Sequence, residues 1–240
     1  PPTLVTEGAA PATELEATFT TSKSRAERAY GFGLSGQYAP VPSVGIKLAV
    51  PAAIRDPRDT EPTVAGLGDV SLMAKYAPLL IPAQQLALSG GLKLTFPTGS
   101  ERRELGGEFA VAPFVAAGKV FGPLGLQADV FYSWQLNRGA TIRAEEEGEE
   151  SIRPEKEQQV TANLTATYAL IERLWLILEL NSATLIKGED PLKGRVQLYL
   201  TPGVSGEPAE GWNLRAGIQL PVTSAKEFDY NLIVILTRGF

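Results

Sequence analysis

Apolar and polar residues alternate with a period of two along almost the whole chain, and no other feature restricts the fold as much. A two-residue period sends successive side chains to opposite faces of a strand, whereas a helix needs recurrence every three to four residues. The clearest runs set Leu86, Leu88, Leu92, Leu94 and Phe96 against Ser89, Lys93 and Thr95, then Leu124, Leu126, Val130, Tyr132 and Trp134 against Gln127, Asp129, Ser133 and Gln135. Glycine and threonine punctuate the apolar runs, which argues further against helix.

About twelve such runs of roughly ten residues follow one another, an even number, as a closed bacterial outer-membrane barrel requires. The last carries Tyr230, Leu232, Val234 and Leu236 and stops on Phe240, with Arg238 breaking its apolar face. Barrels of this kind end on an aromatic ring at the lipid headgroup level.

Composition narrows the function. The chain has 240 residues, a net charge of −5, no cysteine and no histidine. Disulfides, thiolate sites, Ser-His triads and His-ligated zinc are therefore excluded, and an enzyme, a metal or a cofactor is not expected. The acidic balance argues against a nucleic-acid partner. The 44% of hydrophobic residues are never gathered into the roughly 18-residue apolar stretch of a membrane helix, but barrel strands do not need one. The opening residues lack a basic and an apolar region, as expected of a mature chain whose signal peptide has been removed.

Up-and-down topology supplies two checks on this reading. The charged stretches 54–65, 99–107, 137–157 and 187–193 all fall on odd-numbered connections, while even ones such as 39–42 and 169–172 are tight. Tyr38, Tyr76, Phe121, Tyr168, Trp212 and Phe240 fall at one end of the strands; Phe19, Tyr30, Phe96, Phe109, Trp134 and Tyr230 fall at the other. Two aromatic girdles are the mark of a barrel crossing a bilayer. The sequence therefore predicts an all-β, closed, antiparallel up-and-down transmembrane β-barrel over residues 13–240, in the bacterial outer membrane with both termini periplasmic. Residues 1–12, rich in proline and alanine, are expected as an extended periplasmic segment, with insertion into the lumen as a partial plug the alternative. A soluble barrel or sandwich would also alternate, but with its apolar face inward and no parity in its loops.

Two runs carry a resemblance beyond architecture: GLGDVSLMAKY at 66–76 and GLKLTFPTG at 91–99. With Leu178-Glu179-Leu180, Thr201-Pro202-Gly203 and Leu214-Arg215-Ala216-Gly217, their order resembles the outer-membrane β-barrel family assigned to transport in the meta-pathway of phenol degradation. The resemblance covers about residues 66–240. It implies a barrel that passes small, often aromatic or apolar molecules, and it brings no catalytic or binding residues with it.

Candidate functional residues are those the alternation turns toward the lumen. Lys47, Lys75 and Lys93 stand on three consecutive strands, and Arg195 and Arg215 on two later ones; Glu14, Glu16, Asp129 and Glu179 supply the opposite charge. Facing charges on a pore wall set a transverse field that orients solutes; the same residues could instead close a narrow bore with ion pairs. Met73, Phe114, Phe131, Trp175, Ile177 and Tyr199 form an apolar and aromatic set, read either as solute contacts or as packing. Five carboxylates at 145–147, 149 and 150 lack calcium-loop spacing and read as a solvated loop. The function expected is a channel for passive or facilitated diffusion of small molecules, with membrane lipid and a small solute as partners. The alternative is a structural or scaffold barrel, closed by ion pairs, that docks or sheathes a partner.

Overall fold

The computed structural model describes residues 2–57, 62–100, 105–138, 157–188 and 191–240, the side chains of 137 and 138 apart. The alternating runs form strands β1 (Glu14–Lys23), β2 (Glu27–Val41), β3 (Val44–Pro57), β4 (Val64–Leu67), β5 (Val70–Ile81), β6 (Leu86–Phe96) and β7 (Glu108–Phe121). They continue with β8 (Leu124–Arg138), β9 (Gln158–Ile171), β10 (Leu174–Lys187), β11 (Val196–Ala209), β12 (Trp212–Pro221) and β13 (Tyr230–Gly239). Consecutive strands pair antiparallel, except that β4 and β5 both pair β3, and β1 closes the ring by pairing β13 from Glu14↔Gly239 to Lys23↔Tyr230. Among the described residues, closure leaves only the short β4 with an edge that no strand pairs.

The result is a 12-strand barrel with one extra strand. The short β4 pairs β3 above the point where β5 begins, so one stave is broken at Gly68-Asp69. Connections alternate as expected: tight turns near 42–43, 122–123, 172–173 and 210–211 and a 3-10 turn at Pro82–Gln84 lie at one end, the turn end. The connections after β1, β4's neighbour β3, β6, β8, β10 and β12 lie at the other, the loop end. Of the charged stretches, 58–61, 101–104, 139–156 (with the acidic run) and 189–190 lie outside the described residues.

The surface is inside-out. Leu34, Ile46, Leu48, Leu72, Leu92, Val115, Leu164, Leu178, Leu214 and Leu232 are exposed, while the largest fully buried side chains are Glu179, Thr165, Thr201 and Ser205. Such an arrangement is stable only if hydrocarbon bathes the outside, since exposed apolar patches of this extent are not tolerated in water. The turn-end girdle stands on the outer face, with Tyr38, Tyr76, Phe121, Tyr168, Trp212 and Phe240 all exposed. Arg238, the residue that broke the terminal pattern, belongs to this girdle. Its guanidinium lies 5.5 Å from the Trp212 ring centroid and 5.7 Å from that of Phe240, and it donates to the Glu210 carbonyl at 2.6 Å. A cation among interfacial rings sits where headgroups, not hydrocarbon, surround it.

Candidate functional site: an occupied lumen

The segment before β1 runs inside the barrel. An extended peptide there has free backbone N–H groups, and each must find an acceptor or lose hydrogen-bond energy. The wall supplies them. The Leu4 and Val5 N–H groups donate to the Glu179 carboxylate at 2.6 and 2.8 Å, with Thr6 N–H at 3.3 Å. Glu7 N–H donates to Asp129 Oδ2 at 2.6 Å, and Ala9 N–H to Gln127 Oε1 at 3.3 Å. In the other direction, Arg215 donates to the Thr3 carbonyl at 2.5 Å and to Glu16 Oε2 at 2.6 Å. Of the two placements open for this segment, the geometry is that of the lumenal plug. It is not an appendage outside the barrel, because only the wall could satisfy its backbone this fully.

A belt of amides holds the two wall carboxylates in place. Asn163 donates to Asp129 Oδ1 at 2.8 Å, and Asn181 donates to Asn163 at 3.1 Å and to Glu179 Oε2 at 3.3 Å. Thr201 in turn donates to Asn181 Oδ1 at 2.7 Å. These residues sit on β8 to β11 at neighbouring registers, so the belt follows from pairings such as Asp129↔Asn163 and Asn181↔Asn163.

Apolar contacts fix the segment's position along the lumen. Leu4 joins Ile177, Ile233 and Ile235 in a buried cluster. Its side chain fills a notch between Gly203 and Gly217, cross-strand partners on β11 and β12; a Cβ on either would come within 2.5 and 2.4 Å of Leu4 Cδ1. Ala9 packs with Met73, Ala87, Phe114 and Ala116. Phe114 itself lies over Gly91, where a Cβ would come within 2.6 Å of its ring, and it stacks on Phe131 at 4.7 Å.

Glu7 is the centre of charge. Its carboxylate lies 2.5 Å from Lys75 Nζ and 3.6 Å from Lys47 Nζ, and Lys75 also donates to the Gly8 carbonyl. Burial pushes the Glu7 carboxyl up, but the Lys47 and Lys75 ammonium groups together outweigh it and hold it below the ordinary carboxylate range.

The segment divides the interior. A chamber of about 550 Å³ lies toward the loop end and another of about 590 Å³ toward the turn end; Val5, Glu7 and Lys47 border both. Lys93, Met73, Phe131 and Tyr199 line the first; Glu14, Glu16, Trp175 and Arg215 line the second. The charged set thus comes together around the segment, apart from Arg195. It precedes β11 in the turn that bonds its N–H to Leu192, is exposed, and bonds Ser224 at 3.2 Å, so it is not part of the wall. The apolar set separates: Phe114, Ile177 and Met73 pack against the segment's two clusters, Tyr199 stacks on Phe228 at 4.7 Å, and Phe131 and Trp175 line different chambers.

Asp69 emerges as a key residue that alternation could not single out. Its carboxylate accepts the N–H groups of Gly99 at 2.8 Å, Gly107 at 2.9 Å and Glu108 at 3.0 Å, while Thr98 Oγ1 accepts the Val70 N–H at 2.8 Å. The runs at 66–76 and 91–99 therefore meet in one clasp that ties Thr98, Gly99, Gly107 and Glu108 to the broken stave. Gly106, at φ +142°, has room for no Cβ because the Asp69 carboxylate stands 2.4 Å away.

Fold and lumen define a porin-like outer-membrane β-barrel. No family model and no curated protein matches the sequence. Among solved structures, an outer membrane channel from Pseudomonas putida F1 superposes with a TM-score of 0.75 at 15% identity, covering 100% of this chain and 99% of that one. The NanC porin and the KdgM porin follow at TM-scores of 0.61 and 0.58, each 11% identical and covering 95% of this chain and 99% of theirs. These likenesses are of fold.

Proposed function

We propose that the protein is an outer-membrane channel for small molecules whose lumen is gated by its own N-terminal segment. The observation that carries this reading is a side-chain-lined bore with two chambers meeting at a single tethered peptide. Both termini lie at the periplasmic side in this reading, and the solutes are small molecules of the aromatic or apolar class that the phenol-pathway resemblance implies. The likeness to an outer membrane channel and to porins supports it. In planar bilayers the intact chain is expected to rest mostly closed. A chain lacking residues 1–12, whose strand pairings are untouched, is expected to give stepwise currents. The ion pairs that fasten the segment favour a second reading, a closed scaffold barrel; absence of current from the shortened chain in bilayers and of swelling in liposomes would select it.

A further inference from the structure

Fastening the segment does not use all the cationic chemistry of the loop-end chamber. Lys47 and Lys93 flank Met73 in one lateral row, through the pairs Lys47↔Met73 and Met73↔Lys93. Their backbones are two strand spacings apart, roughly 10 Å, a gap that two lysine side chains reach across. Glu7 already occupies the near side of this cluster, 2.5 Å from Lys75 and 3.6 Å from Lys47. It is a tethered carboxylate, and it displays the chemistry this wall accepts. Lys93 borders the same chamber and, among the described residues, makes no hydrogen bond or ion pair. Beside it, Phe131 lines the chamber with Phe114 stacked behind. The other carboxylate bordering the space, Glu227, is exposed in the connection before β13.

We propose that the loop-end chamber binds a small organic carboxylate with an apolar body, its carboxylate held between Lys93 and Lys47 and its body against Phe131 and Met73. The proposal takes its route for the solute from the channel reading and names the solute's class. A half-buried ammonium that faces the chamber without a counter-ion gains charge-assisted hydrogen bonds from an incoming anion. An apolar wall with a few placed cations selects such a molecule over a neutral isostere. Because Lys47 serves both Glu7 and the solute, binding of one weakens the hold on the other, and the coupling is reciprocal.

The test is calorimetric titration of the folded, full-length protein in detergent with benzoate, and with benzamide as its neutral isostere, beside bilayer recordings of the chain lacking residues 1–12. Saturable binding of benzoate but not benzamide is expected, weakened about tenfold or more in K93Q and K93M. Both variants are checked for folding by heat-modifiable gel mobility. E7Q, which frees Lys47, is expected to bind benzoate about threefold more tightly. Equal affinity for the two probes, unchanged binding in folded K93Q, or weaker binding in E7Q overturns the proposal whatever the conductance. Stepwise currents without a benzoate preference leave the channel and remove the site; benzoate preference without current keeps the site and removes the channel.

Discussion

Leu4 and Glu7 each anchor the lumenal segment through their side chains, and they do so by different physics. Leu4 occupies a notch that exists only because Gly203 and Gly217 face each other. Leu4→Ala should cost about 2 kcal/mol of that hold, shifting the closed-to-open ratio roughly 30-fold in bilayer recordings. Glu7 holds by charge. Its carboxyl lies below the ordinary range while the segment is inserted, so its contribution is complete above that range and lost as pH falls through the lowered value. Opening should therefore rise only in acid, and Glu7→Gln should open the lumen at neutral pH. An open probability that stayed flat from pH 7 down to pH 3 would falsify this account of the gate.

Among the elements, the broken stave is the informative one. β4 and β5 share β3 as a partner, and the gap at Gly68-Asp69 lets one carboxylate turn upward and collect three N–H groups of the neighbouring connection. Removing a half-buried carboxylate takes away the acceptor of three N–H groups at once, so Asp69→Ala should cost about 2 kcal/mol locally. Amide exchange at Gly99, Gly107 and Glu108 should then quicken roughly 30-fold, with the strands themselves protected as before. The runs at 66–76 and 91–99 both contribute to the clasp, Asp69 from the first and Thr98 and Gly99 from the second.

For the whole molecule, the orientation of the greasy face determines what a substitution does. Leu180 is exposed near the middle of β10, so Leu180→Arg places a charge in hydrocarbon and should destabilise the barrel by roughly 2–4 kcal/mol. Thr161, bordering the loop-end chamber, should take an arginine at smaller cost. Urea titrations of vesicle-folded protein measure both, and equal penalties would contradict the inside-out assignment.

The period-two pattern, read along the chain, already contained the barrel, its strand number, its loop parity, its turn-end girdle and the inward set Lys47, Lys75, Asp129, Glu179 and Arg215, since a strand's face follows from local spacing alone. Arg195 was misplaced because alternation says nothing about where a strand begins. The role of Asp69, the amide belt through Asn163 and Asn181, and the notch at Gly203 and Gly217 depend on which strands become neighbours and in what register. The lumenal course of residues 2–12 depends on more still: a short segment rich in proline and alanine has no periodicity, and only a closed wall with acceptors already in place gives its backbone a reason to enter.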